Sequence, residues 1–287
     1  MKTILVSVVM PVYNAVQYID EAIQSILNQS FSNFELIVID DGSIDGTVER
    51  VQEYDDSRIK LYRRHHDFIG SLNFGLQIAR GKYIARMDAD DVMHVDRLRI
   101  QYNIMELEPT IDCCSSWVTI YDEETGCKRL SSSISGKMND TLLLLLRGNP
   151  FYHSTMMLRK EFLEKNQLRY EDYKYAEDYK LWVDMAKCGG IFYIESQSLL
   201  CYRVHKKQVT NLKRKEQERT SNLIKEEIIG YLLLFFPSDF NLFYERLLDM
   251  GNRGFLTHKM KYEFMISLFT YNNAMWKQMY CDEEEIR

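Results

Sequence analysis

The chain has 287 residues, of which 46% are hydrophobic and 27% charged, and its formal net charge at pH 7 is −6. This balance predicts a globular protein with one large domain, or one domain and a helical appendage, and the acidic charge argues against a nucleic-acid partner. The six cysteines include no Cys-x-x-Cys pair, and no apolar run approaches the roughly 20 residues of a membrane-spanning helix. We therefore expect a cytoplasmic protein with reduced thiols and neither a zinc site nor a signal peptide.

The first half of the chain alternates short runs of β-branched residues with segments of helical periodicity. Strands are predicted over residues 4–9, 34–39, 59–62 and 83–87. Helices are predicted over residues 16–27, 47–54 and 72–79. This alternation indicates an α/β fold with a mixed, mainly parallel sheet flanked by helices.

The second half alternates less regularly. Strands are predicted over residues 113–121, 154–158, 192–195 and 199–204. Helices are predicted up to residue 107 and over residues 140–146 and 177–188. From Lys213 onward only helical periodicity remains, so we predict an α/β domain over residues 1–212, with halves 1–95 and 96–212, followed by a helical tail over 213–287.

Polar residues follow three of the predicted strands. The first strand ends in residues 11–14 (Pro-Val-Tyr-Asn), the second in 40–43 (Asp-Asp-Gly-Ser) and the fourth in 88–91 (Asp-Ala-Asp-Asp). Ligands of open α/β sheets bind beyond the carboxyl ends of the strands. Alternate residues of an extended chain share a face, so Asp88 and Asp90 direct two carboxylates to one side. Magnesium or manganese, with diphosphate oxygens as the remaining ligands, is the expected way to hold such carboxylates together.

Each strand end also has a plainer interpretation when it is taken alone. Asp40 and Asp41 with Gly42 have the pattern of an Asx turn, and residues 88–91 are compatible with a solvated turn ahead of a helix. Tyr13 would then be an aromatic residue at the rim. Three polar strand ends in register favour a ligand site over three separate turns.

The three motifs, extended to residues 8–14, 38–43 and 81–91, resemble family 2 inverting glycosyltransferases of the GT-A fold. The resemblance covers about residues 4–205 and implies a nucleotide-binding half over 1–95 and an acceptor-binding half over 96–212. The activity it implies is transfer of a sugar from a nucleotide-sugar donor. UDP is the family's usual nucleotide, and GDP and dTDP are the alternatives. The implied acceptor is a hydroxyl of a saccharide or a lipid-linked saccharide in polysaccharide or glycolipid synthesis.

The resemblance also implies roles for individual residues on the donor side. Pro11 and Tyr13 would line the nucleotide base, and Asp40 would accept a hydrogen bond from its ring nitrogen. Asp88 would contact the ribose, and Asp90 would bind Mn²⁺ or Mg²⁺ on the diphosphate.

Further positions match the family farther from the acidic motif. Asn73 matches a position near the donor, and residues 153–157 (His-Ser-Thr-Met-Met) resemble the acceptor-side strand. Glu177 and Asp178 resemble the family's catalytic Glu-Asp motif, in which Asp178 is the general base. The alternative for Asp178 is an acid placed at a helix N-terminus by the helix dipole.

A histidine motif completes the resemblance. Residues 202–205 (Tyr-Arg-Val-His) are similar to a family motif in which the histidine, here His205, assists the metal or the leaving group. The alternative is a structural histidine at a strand end. His65 and His66 have no such match and are interpreted as loop residues.

Rival enzyme classes lack their motifs in this chain. No Gly-x-Gly-x-x-Gly turn follows the first strand, which argues against a Rossmann dehydrogenase, and no Gly-x-x-x-x-Gly-Lys loop is present for a phosphate-loop ATPase. The remaining alternative is a nucleotide-sugar-binding module that has lost catalysis and serves as a scaffold.

The start of the helical tail is locally basic. Seven cations lie between residues 203 and 219: Arg203, Lys206, Lys207, Lys213, Arg214, Lys215 and Arg219. An apolar helix face is predicted just beyond: Ile224, Ile228, Ile229, Leu232, Leu233, Phe235 and Phe236. One interpretation is peripheral contact with the anionic inner face of a membrane. The other is that this face packs on the catalytic domain and the charges form a solvated rim.

Overall fold

The computed structural model describes residues 4–132, 134–206, 208, 212–235, 238–254 and 257–284. The chain divides into two compact units, an α/β unit (Met1–Asn139 with Phe151–Gln217) and a helical unit (Asp140–Pro150 with Glu218–Arg287). The sequence predicts this boundary at residue 212 and assigns residues 140–150 to the acceptor-binding half. In the structure these residues belong to the helical unit instead.

The α/β unit contains strands and helices in alternation. Its strands are β1 (Val6–Val12), β2 (Phe34–Asp40), β3 (Ile59–Arg63), β4 (Tyr83–Arg86), β5 (Val92–Met93), β6 (Cys113–Asp122), β7 (Lys128–Ser131), β8 (Gly136–Lys137), β9 (Met157–Arg159) and β10 (Phe192–Val204). Its helices are α1 (Ile19–Leu27), α2 (Thr47–Gln52), α3 (Phe68–Ile78), α4 (Arg97–Leu107), α6 (Lys160–Lys165) and α7 (Glu177–Lys187), with a 3₁₀ turn at His153–Thr155.

The strands form one mixed sheet in the order β3-β2-β1-β4-β9-β6-β10-β5, with β7 paired to β6 and β8 to β10. The first four strands of this order are parallel. Strand β9 lies antiparallel between β4 and β6, and β5 is antiparallel to β10. The predicted α/β fold with a mixed sheet and a helical C-terminal region is confirmed.

The central strands are buried along their whole length. Every residue of β1 and β2 is buried, which agrees with their continuous apolar sequence. Helix α3 packs closely on these strands at Gly75, where an added Cβ would lie 2.4 Å from a Val9 methyl and 2.8 Å from the Ile39 Cδ1. A glycine is therefore required here for the helix to approach the sheet.

Three of the predicted elements take a different form in the structure. Strand β10 is continuous, with irregular register after Glu195, where two separate strands were expected. The strand predicted over 154–158 is a 3₁₀ turn followed by β9. Helix α3 begins at Phe68 because the Asp67 side chain caps it by accepting from the Gly70 N–H.

The helical unit contains α5 (Thr141–Arg147), α9 (Ser238–Asn252), α10 (His258–Glu284) and most of α8 (Arg214–Leu233). The apolar face predicted for membrane contact is largely buried, at Ile224, Ile228, Ile229 and Leu233. Phe235 of the same predicted face is 64% exposed, and Arg203 is buried rather than part of a surface charge. Peripheral membrane contact therefore stays a prediction. Lys207 lies outside the described residues, and so does the Phe236 side chain. None of the helices in the described ranges combines the length and apolarity needed to cross a membrane.

Candidate active site

Four chain segments meet at the carboxyl edge of the sheet. Strands β1, β2 and β4 are parallel neighbours, so residues 11–14, 40–43 and 88–91 leave the sheet side by side. The end of β10 joins them, because the Arg203 N–H donates to Asp91 Oδ1 over 2.9 Å. The three polar strand ends predicted from the sequence are therefore brought together, and residues 202–205 adjoin them.

Asp40 offers an unused acceptor in a buried position. Its side chain is only 1% exposed, and its Oδ1 accepts from the Ser43 N–H. Its Oδ2 has no hydrogen-bond partner among the described residues, and the Arg63 Nε lies 3.9 Å away. A buried carboxylate oxygen is costly to leave unpaired, so this atom is suited to accept from a ligand N–H.

The Tyr13 ring lies over this edge, half exposed at 48%. It packs on the His66 ring at a centroid distance of 4.4 Å. The Nδ1 of His66 lies 3.1 Å from the Asp41 carbonyl oxygen and 2.9 Å from Asp41 Oδ2. His66, interpreted from the sequence as a loop residue, thus supports the aromatic ring predicted to stack on a base.

Pro11 and Asn14 have different surroundings. Pro11 is buried within β1, in register with Ile39 of β2. Asn14 adopts a left-handed conformation (φ 48°), and its Oδ1 accepts from the Ile44 N–H. Its own N–H donates to Ser43 Oγ. Asn14 therefore joins the loops that follow β1 and β2.

The first aspartate of the acidic turn is tightly held. The Arg86 Nη2 donates to Asp88 Oδ1 over 2.6 Å, and the Asp88 N–H donates to Ser154 Oγ over 2.9 Å. Burial raises the pKa of Asp88, Arg86 opposes the rise and Asp90 adds to it. Asp88 thus pairs with a buried arginine and experiences the charge of a second acid.

Asp90 and His205 form a close pair. The Asp90 Oδ2 lies 3.0 Å from the His205 Nε2, and the His205 ring stacks on Tyr18 at 5.1 Å. Asp91 is buried, and its Oδ1 accepts from the Arg203 N–H. Burial, with Asp88 and Asp90 adding to it, raises the pKa of Asp91 well above its usual value.

The donor set at this pair fits a divalent cation that also binds a substrate. No group of three or more His, Cys, Asp or Glu side chains in the described ranges converges to hold a metal. The Asp90 oxygen and the His205 nitrogen, 3.0 Å apart, could supply two ligands. Mg²⁺ in nucleotide sites takes one or two carboxylates and completes its shell with phosphate oxygens and water. These residues therefore fit an ion shared with a diphosphate, not one enclosed by protein.

The acid pair that opens α7 faces the same region. Burial and the neighbouring Asp178 raise the pKa of Glu177 to about 8, with Asp88 adding to the rise and Arg86 opposing it. Asp178 Oδ1 accepts from the Tyr179 N–H at the helix start. Because Asp88 and Arg86 contribute to the pKa of Glu177, the acidic turn after β4 and the start of α7 lie within electrostatic range of each other.

The segment before this pair is fixed by side chains distant in sequence. The Asn73 side chain accepts from the Tyr170 N–H and donates to the Tyr170 carbonyl, both over 2.9 Å. The Tyr170 hydroxyl lies 2.8 Å from the His153 Nε2. Asn73, predicted near the donor, is therefore engaged with the chain that leads into Glu177.

Sequence analysis assigned no role to several residues of the site. Arg203 lies in the motif at residues 202–205 and Asp91 in the motif at residues 88–91, so the sequence could have indicated that both belong to the site. Ser154, which accepts from the Asp88 N–H, lies in the motif at residues 153–157. Tyr18 has no signal of this kind, because only the folded chain places its ring beside His205.

Comparison with known proteins agrees with these motifs. The model of glycosyl transferase family 2 matches residues 7–166. A glycosyltransferase of Haemophilus influenzae is 37% identical over 242 residues, which are 80% of this chain and 74% of that protein. WfgD of Escherichia coli, a UDP-Glc:alpha-D-GlcNAc-diphosphoundecaprenol beta-1,3-glucosyltransferase, is 32% identical over 75% of this chain and 83% of its own length.

A solved structure shares the fold. The crystal structure of Staphylococcus aureus TarS 1–349 with UDP-GlcNAc superposes with a TM-score of 0.65 and 20% identity, over 80% of this chain and 66% of that one. At this identity the likeness concerns the fold alone. On the family model and the sequence relatives, the chain belongs to glycosyl transferase family 2.

Proposed function

We propose that this protein transfers a sugar from a UDP-sugar to an acceptor hydroxyl, with inversion at the anomeric carbon and with the help of a divalent cation. The observation that supports the proposal most is the electrostatic interaction between two acidic pairs. Asp88 and Asp90 follow β4, and Glu177 and Asp178 open α7 within the electrostatic reach of Asp88. Donor binding and proton removal need such groups on either side of the reacting carbon.

The donor assignment is supported by the pocket at the end of β2. The unpaired Asp40 Oδ2 is an acceptor that suits the ring N–H of uracil, and the exposed Tyr13 ring offers a stacking surface. WfgD takes its glucose from a UDP donor, and TarS has been crystallised with UDP-GlcNAc. A UDP-sugar is therefore the donor class that we propose here.

The acceptor class follows from WfgD, whose name specifies an N-acetylglucosamine attached to a lipid diphosphate. We extend this class, a saccharide carried on a lipid, to the present chain. The product would then be a precursor of a glycolipid or a polysaccharide.

The proposed chemistry is a single displacement. Asp178 takes the proton of the acceptor hydroxyl as that oxygen bonds to the anomeric carbon, and the bond from that carbon to the diphosphate oxygen breaks on the opposite face. Asp90 and His205 would hold Mn²⁺ or Mg²⁺, which when bound offsets the negative charge of the departing diphosphate. Asp88 would orient the ribose. Glu177, by retaining its proton, would limit the negative charge beside the general base Asp178.

Two measurements test this function. UDP should raise the melting temperature of the protein, and Mn²⁺ should increase the effect, because a ligand that binds the folded state stabilises it. The protein should also hydrolyse UDP-sugars slowly and transfer sugar to lipid-linked acceptors. A protein that binds UDP-sugar but neither hydrolyses nor transfers it would be the scaffold module, and the enzymatic proposal would be wrong.

A further inference from the structure

Arg203 holds the acidic turn from behind. It lies on β10, two residues before His205, and its side chain is only 11% exposed. Its main-chain N–H donates to Asp91 Oδ1, and its Nε donates to the Asp90 carbonyl oxygen, both over 2.9 Å. One residue therefore fixes the backbone of Asp90 and the side chain of Asp91.

The far end of the guanidinium is anchored to other elements. Its Nη2 pairs with Glu21 on α1, and its Nη1 lies 3.9 Å from Glu123. The group lies over the Tyr18 ring at 5.1 Å, and the same ring stacks on His205 at 5.1 Å. Tyr18 is fixed in turn by its hydroxyl, which donates to Glu123.

This arrangement determines where the Asp90–His205 pair can lie. The Asp90 side chain starts from a backbone that Arg203 holds, and His205 continues the strand that carries Arg203. The geometry of metal ligands depends on such supporting contacts, and small displacements of a ligand lower the affinity for the ion. Lysine cannot replace this arginine, because one ammonium cannot reproduce the planar fork that reaches a carbonyl and a carboxylate together.

We propose that Arg203 is a positioning residue that aligns Asp90 and His205 for a cation bound with the diphosphate, a role resting on the function proposed above. Arg203 does not contact the substrate in this role. It acts through the backbone of Asp90 and, with Tyr18, through the ring of His205.

The test measures UDP binding by calorimetry in EDTA and in Mn²⁺, and free Mn²⁺ by electron paramagnetic resonance. Arg203→Lys should bind UDP in EDTA within about twofold of the wild type, while the gain in affinity from Mn²⁺ falls about tenfold. Glu21→Gln is the matched control, because it removes only the outer ion pair of an exposed carboxylate (61%) and should keep most of the gain.

Tyr18 supplies a second pair of variants in case Arg203→Lys does not fold. Tyr18→Leu should lose much of the Mn²⁺ gain, and Tyr18→Phe should keep it. If Arg203→Lys or Tyr18→Leu retains the wild-type gain in affinity from Mn²⁺, Arg203 has no specific positioning role. The same conclusion holds if the variant weakens UDP binding in EDTA as much as it weakens binding in Mn²⁺. If the wild type itself shows no gain from Mn²⁺, the proposed use of a metal is wrong, and this inference with it.

Discussion

Replacing Glu177 with glutamine should change how stability depends on pH. Burial and Asp178 raise the pKa of this carboxyl from 4.5 to about 8. Between these pH values the unfolded chain has released the proton and the folded chain has kept it. The folded state binds more protons, so the free energy of unfolding falls as pH rises through this range. Glutamine has nearly the same shape and does not titrate, so Glu177→Gln should remove this fall.

The size of the effect follows from the same interval. At about 1.4 kcal/mol per pH unit, the interval from 4.5 to about 8 means that folding disfavours ionisation of the Glu177 carboxyl by roughly 5 kcal/mol. Above pH 8 the variant should therefore be more stable than the wild type by up to about that amount, and near pH 4.5 the two should be equal. For a chain of this length the difference in melting temperature should be on the order of 10 °C.

The assay is a series of thermal melts from pH 4.5 to 9 in EDTA, which keeps cations from the acidic turn. Glu164→Gln is the control, because that side chain is 66% exposed and pairs with Lys160 along its helix. Such a pair is worth at most about 1 kcal/mol, so the control should run parallel to the wild type. If the Glu177→Gln curve also runs parallel, Glu177 is ionised in the folded protein and the reasoning is wrong.

Three further predictions concern catalysis, donor binding and packing. Asp178→Asn should keep UDP affinity within about twofold, measured by calorimetry, and lower kcat by about 10²–10⁴-fold, measured by transfer of labelled sugar. A collapse in affinity at normal turnover would make Asp178 a binding residue. Asp40→Ala should weaken UDP binding in EDTA by about 10–100-fold, and an unchanged Kd would remove Asp40 from the base pocket. Gly75→Ala should destabilise the fold by about 1–3 kcal/mol in urea melts, because its Cβ would overlap Val9. The helical control Gly230→Ala, with open space around its Cβ, should stabilise by up to about 1 kcal/mol, and equal effects of the two would contradict the packing argument.

The predictable part of the fold is the part set by local pattern. The uninterrupted apolar runs of β1 and β2 specify buried strands, and the turn residues after them mark where they end. The antiparallel insertion of β9 between β4 and β6 has no such signature, because pairing partners depend on distant segments. The helix at residues 141–147 was predicted, yet its membership in the helical unit was not, since an apolar face does not specify its partner.

The candidate site divides in the same way. Asp40 ends β2, and Asp88 and Asp90 follow β4. These two parallel strands flank β1, so the sheet brings their carboxyl ends to the same edge. The contact of Arg203 with Glu21 joins residues 182 positions apart, and no local pattern specifies it. The Asn73 amide likewise meets the backbone 97 positions later, so its engagement could be found only in the folded chain.

The position of β9 bears on how the protein folds while it is being synthesised. Strand β4 pairs with β1 on one side, and its other edge is closed by Met157–Arg159, about 70 residues later. At roughly 5–20 residues per second, the ribosome leaves that edge open for several seconds. An open edge of apolar strand can pair with other chains. A nascent or shortened chain that ends before β9 is therefore expected to need chaperone protection, and residues 1–95 are not expected to fold independently.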